Sequence, residues 1–120
     1  MDKATVAAWV DRYVAAWESN DPAAIGGLFA ANAAYRQRPS DDPWQGRDGI
    51  VAGWLETKDD PGTWTFRYDV LAATDGLAFV RGRTHYTNPP DDYDNLWVLQ
   101  FDEAGQCADF TEWWMQPRES

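Results

Sequence analysis

The chain is expected to be an α+β domain: three N-terminal helices packed on a strongly curved antiparallel or mixed β-sheet, forming a cone with an internal pocket. Three observations predict this. Residues 5–18 space their apolar side chains as a helix does, and from residue 63 the period changes to two. Eight tryptophans occur in 120 residues, and rings of that size fill a core or line a cavity efficiently.

In the first helix Val6, Trp9, Val10, Tyr13, Val14 and Trp17 fall at i, i+3, i+4 and i+7, painting one face. A second helix starts in "NDPAAIGGLFA", with Asp21 as cap and Pro22 in the first turn; Ile25, Leu28 and Phe29 are its buried side. "NAAYRQRP" reads as a short strand ending at Pro39, and "SDDPWQGR" (40–47) as a loop of turn formers. "DGIVAGWLE" is a third helix, with Asp48 placed to cap it and Ile50 and Trp54 one turn apart. Four strands follow, in "TWTFRYDVLAA", "LAFVRGRTHYT", "DNLWVLQFD" and "CADFTEWWM". "TDG" and "DEAG" join the outer pairs as hairpins, while "NPPDDYD" reads as an exposed, adaptable rim.

The length fits one domain spanning residues 1–120. A formal net charge of −10 argues against a nucleic-acid or anionic-membrane partner, because phosphate binding needs clustered Lys and Arg. Cys107 is the single cysteine and His85 the single histidine, so no zinc or non-haem iron set is expected. Charges interrupt "MDKATVAAWVDRYVAAW" every few residues, unlike a signal peptide or a spanning helix. A soluble, cytoplasmic domain is expected.

The element order, with "DRYVAAWESNDPAAIGGLFAANAAY", "GRDGI" and "LWVLQFDEAGQCADFTEW", resembles the nuclear transport factor two-like superfamily, in its SnoaL-like branch, over nearly the whole chain. That resemblance implies a ligand held between helices and sheet. It leaves function open, because the fold hosts cyclases, isomerases, dehydratases, hydrolases and adaptors. Matched to the bacterial ketosteroid isomerases, Tyr13 falls on the oxyanion-donor tyrosine, Arg38 on the general-base aspartate and Trp97 on the second acid. With both carboxyls missing, steroid isomerisation by that mechanism is not expected. The same alignment turns Trp97, Leu99, Phe101, Phe110, Glu112 and Trp114 inward.

Glu112, between Phe110 and Trp114 on one strand face, is the chief candidate. Three placements are open: a desolvated acid/base carboxyl in the pocket, a structural ion pair with an arginine, or exposure after a register flip. SnoaL-like cyclases carry an acid/base carboxylate on the sheet, which is a precedent of kind. Arg81, Arg83 and His85 share a face of "FVRGRTHY". Turned inward, Arg83 would contact the ligand or Glu112, and His85 would carry a proton, an arrangement similar in kind to limonene-epoxide hydrolases. Hydrophobic patterning of Val80, Gly82, Thr84 and Tyr86 favours the opposite register. Tyr13 is a second proton-handling candidate, and Trp17, Tyr35, Trp54, Trp97, Phe110 and Trp114 are candidate wall residues; core packing would explain each of them too.

The expected function is therefore a pocket for a small hydrophobic molecule. Two readings remain: cofactor-free acid/base catalysis through Glu112, Tyr13 and His85, or non-catalytic binding. A protein-interaction adaptor using Asp91, Asp92 and Asp94 is a third. Mixed aromatic residues on both faces of the strands imply a homodimer through the outer face of the sheet. No cofactor or metal is expected.

Overall fold

The computed structural model describes residues 1–117. Helix α1 (Lys3–Ser19) is capped by Asp2, whose carboxylate accepts from Thr5 N at 2.8 Å, and ends at Asn20 in the left-handed conformation. Its inner stripe is Val6, Trp9, Val10, Tyr13 and Ala16, all buried. Helix α2 (Pro22–Gly26) is capped by Asp21, which accepts from Ala24 N at 3.1 Å. Strand β1 (Phe29–Arg36), the two-residue strand β2 (Trp44–Gln45) and helix α3 (Gly46–Glu56) follow. The chain then meanders through β3 (Trp64–Thr74), β4 (Leu77–Thr87), β5 (Pro90–Phe101) and β6 (Cys107–Met115).

The six strands form one sheet in the order β2-β1-β6-β5-β4-β3. All neighbours are antiparallel except β1 and β6, which run parallel and set Tyr35 beside Phe110. The sheet is thus mixed and curved, with the helices on its inner face and its edges, β2 and β3, unjoined. Among the described residues no helix is long and apolar enough to cross a membrane.

Four local expectations need correction. Leu28 and Phe29 are not on α2, which ends at Gly26; Phe29 instead opens β1, which stops at Arg36 rather than Pro39. The segment 40–47 is not all loop: Trp44 pairs with Tyr35 in the sheet, and Gly46, at φ +77°, turns the chain into α3. The N-cap of α3 is Gln45, without a side-chain bond, so Asp48 is not the cap; it sits in the first turn, where its charge still suits the helix dipole. The segment 88–94 is not an adaptable rim, because β5 already begins at Pro90 and the connection shrinks to Asn88 and Pro89. Cross-strand charge pairing extends this hairpin: Arg83 lies opposite Asp94 and His85 opposite Asp92, with His85 Nδ1 and Asp92 Oδ1 2.6 Å apart.

Two glycines make room for the aromatic wall. A Cβ on Gly82 would stand 2.4 Å from the ring of Phe66, which lies across β4 and stacks on Trp97 with centroids 5.1 Å apart. A Cβ on Gly53 would stand 2.3 Å from the indole of Trp44, which stacks on Tyr35. Replacing Gly82 with alanine should lower stability by about 1–3 kcal/mol through overpacking. Gly53→Ala should cost less, because alanine regains about 1 kcal/mol of helix propensity. Thermal unfolding of the two variants checks both the sign and the order.

Candidate functional site

Alternation along β5 sends Asn95, Trp97, Leu99 and Phe101 to the inner face, and along β6 it sends Phe110 and Glu112 there. The β5–β6 register sets Trp97 directly opposite Glu112 and Asn95 one diagonal step away. Both neighbours donate to the same carboxylate oxygen. Trp97 Nε1 lies 2.9 Å and Asn95 Nδ2 2.6 Å from Glu112 Oε2. Asn95 is oriented in turn by Thr84, whose hydroxyl donates to Asn95 Oδ1 at 2.8 Å. This fixes the amide and leaves its N–H groups for the glutamate.

No Lys, Arg or His among the described residues forms an ion pair with Glu112. Neither the structural-pair reading nor the exposed one describes its position. Burial is the largest influence on the carboxyl and pushes its pKa above the ordinary glutamate value; the bonds from Trp97 and Asn95 pull the other way without cancelling it. The second oxygen, Oε1, accepts no hydrogen bond from the described residues.

Beside this carboxyl lies a pair of phenols. The hydroxyls of Tyr13 on α1 and Tyr35 on β1 are 2.7 Å apart. Burial raises both pKa values far above the usual phenol range; the other phenol and then Glu112 add to this for Tyr13, and Glu112 is the next cause for Tyr35. Both therefore stay protonated. Two hydroxyls joined by one hydrogen bond leave one O–H proton unused, available to a ligand oxygen.

The cavity enclosed by these groups measures about 490 Å³, a size suited to a small organic molecule. Tyr13, Trp17, Tyr35, Trp54, Trp97, Glu112 and Trp114 line it. Trp114 stands at the mouth, 43% exposed, in edge contact with Tyr93. Phe110 does not line the cavity. It is fully buried behind the wall, stacked on Tyr35 at 4.2 Å and on Tyr13 at 5.6 Å.

Arg83 and His85 are also outside. Strand β4 turns Val80, Gly82 and Thr84 inward, so Arg83 and His85 lie on the convex face with Asp92 and Asp94. Hydrophobic patterning wins over the inward alignment because a guanidinium facing the core would need a buried counter-charge. The geometry thus removes His85 as the proton carrier and Arg83 as a ligand contact in this cavity.

Residues not anticipated include Thr84, Tyr86, Asn95 and Asp59. Asn95 could have been found by extending the alternation of Trp97 and Leu99 one step back. Asp59 carries no sequence signal, since the fold brings it from the segment after α3. Trp17 Nε1 and Tyr86 OH donate to Asp59 Oδ2 at 3.0 and 3.2 Å. Asn20, the cap of α1, holds the same segment by donating to Asp59 O while accepting from Trp54 Nε1. No group of three or more His, Cys, Asp or Glu among the described residues could hold a metal ion.

A curved mixed sheet with helices on its inner face and a pocket between them defines a cone-shaped domain of the nuclear transport factor two-like kind. Residues 10–110 match the SnoaL-like domain, and the chain belongs to that family. Two solved structures agree on the fold. An NTF-2 like protein of unknown function from Burkholderia xenovorans LB400 superposes with a TM-score of 0.76 at 15% identity, covering 97% of this chain and 87% of that one. A ketosteroid isomerase-like protein from Erwinia carotovora atroseptica SCRI1043 gives 0.70 at 19% identity, covering 96% and 97%. No curated protein matches the chain significantly. Arg38, which the sequence resemblance matched to the isomerases' general base, is exposed and paired with Asp41 at 3.3 Å.

The raised carboxyl pKa has a thermodynamic consequence of definite sign. Between the ordinary glutamate pKa and the raised value, the folded state binds more protons than the unfolded state. The contribution of Glu112 to stability is therefore fully present below the ordinary value and is lost as pH rises through the raised one. Subtracting the Glu112→Gln profile from the wild-type profile isolates this fall from every other titration. Urea midpoints measured from pH 4 to about 8 should show it.

Proposed function

We propose that this SnoaL-like domain binds a flat, hydrophobic small molecule and moves a proton on it without a cofactor. Glu112 is the acid/base, and the Tyr13–Tyr35 pair is the donor to a developing oxyanion. The observation that carries this reading is a carboxyl held inside an aromatic cavity by neutral donors alone, with a protonated phenol pair close by. Such a carboxyl can take a proton from a carbon beside a carbonyl and return it elsewhere, while the spare phenol proton stabilises the enolate oxygen. That step is common to isomerisation, cyclisation and dehydration.

One observation favours a plainer role. Both donors to Oε2 stabilise the ionised carboxylate, so Glu112 could serve as a fixed anchor in a binding protein without exchanging protons. Exchange of α-hydrogens in a bicyclic ketone separates the two roles. With 2-tetralone in D₂O, followed by proton NMR, the protein should accelerate deuterium incorporation. Glu112→Gln should lower that acceleration by about 10²–10⁴-fold, the usual worth of a general base, with ketone affinity kept. Equal exchange in wild type and variant would contradict the acid/base role, and affinity without exchange would favour the anchor.

A further inference from the structure

Three carboxylates line the cavity, from Asp59, Asp91 and Glu112, against a single basic side chain, the exposed Lys58. None of the three forms an ion pair among the described residues. Their partners are all neutral: Trp17 and Tyr86 for Asp59, Tyr93 and Gln116 for Asp91, Trp97 and Asn95 for Glu112. Some acids outside the cavity do find a cation, as Asp92 and Asp94 find Arg83 on the convex face and Asp109 finds Arg36. Uncompensated negative charge thus lies in a cleft lined partly by aromatic rings, where it acts on an incoming charge more strongly than on an open surface.

The tryptophans point the same way. The indole N–H groups of Trp17, Trp54 and Trp97 are all spent on internal acceptors, namely Asp59, Asn20 and Glu112. Phe66 stacks on Trp97 and Trp64 on Trp17, so these rings present a ligand with only part of their π surface, which attracts cations. Two carboxylate oxygens, Asp59 Oδ1 and Glu112 Oε1, accept no hydrogen bond from the described residues, and both side chains line the cavity.

We propose that the ligand of this cavity is a hydrophobic organic cation, with an aromatic or alicyclic body against the rings and an ammonium group at the Asp59 and Glu112 carboxylates. The inference rests on the reading of the cavity as a ligand site and adds the charge of what it takes. The net charge of −10 would draw a positive ligand in.

Three fragments sharing one ring system test it: naphthalen-2-ylmethylammonium, naphthalen-2-ylmethanol and naphthalene-2-carboxylate, titrated calorimetrically into the whole protein at neutral pH and low salt. The ammonium compound should bind about tenfold more tightly than the alcohol, and the carboxylate more weakly than either. Asp59→Asn, which keeps an oxygen to accept from Trp17 or Tyr86, should reduce the ammonium-to-alcohol ratio several-fold and leave the alcohol unchanged. Alcohol binding as tight as the ammonium, or a preference for the carboxylate, would overturn the cation inference while leaving the ligand site standing. A ratio unmoved in both Asp59→Asn and Glu112→Gln would overturn it as well. Binding of none of the three would remove the ligand-site reading and the cation inference together.

Discussion

The parallel contact between β1 and β6 governs the rest of the molecule. It sets Tyr35 beside Phe110, and their rings stack face to face with centroids 4.2 Å apart. Trp44 continues the stack on one side and Tyr13 on the other, so one run of rings links the sheet edge, its centre and helix α1. Aromatic pairs add roughly 0.5–1.5 kcal/mol each beyond the area they bury. Here their larger effect is geometric. With Phe110 fixed as an inward residue, the two-residue period of a strand makes Glu112 inward too, and a slip of one residue would turn both out.

That constraint creates a cost which its neighbours must meet. A half-buried carboxyl with no counter-ion is tolerated when it keeps its proton or receives strong hydrogen bonds. Glu112 shows both influences in opposition, burial raising its pKa and the bonds from Trp97 and Asn95 lowering it, with burial the stronger. The outcome is a group poised nearer neutrality than a surface glutamate, which is what proton transfer requires. The phenol pair meets a related problem differently: one hydroxyl donates to the other, and the accepting one keeps an O–H for a ligand.

Much of this was legible in the sequence because periodicity reports burial directly. The stripe from Val6 to Trp17 announced α1, and the alternation through Trp97 and Phe110 announced which faces of β5 and β6 turn inward. Failures came where composition and pairing conflict. "NPPDDYD" has the composition of a loop, yet its aspartates find Arg83 and His85 across the hairpin and lengthen both strands. Arg83 and His85 were misplaced by the inward alignment, although the apolar alternation of Val80, Gly82 and Thr84 already indicated the opposite face. The partners of Asp59 are 42 residues away at Trp17 and 27 away at Tyr86, a separation that no local pattern encodes.

The most direct test of the account is the titration of Glu112 itself. Carbon-13 NMR of protein labelled at the glutamate carboxyl carbon should resolve one resonance whose midpoint lies clearly above the ~4.3 of a free glutamate side chain, and that resonance should be missing from Glu112→Gln. If every glutamate titrates at or below the ordinary value, Glu112 is an ionised structural carboxylate. The proposal of a proton-transfer site would then be wrong.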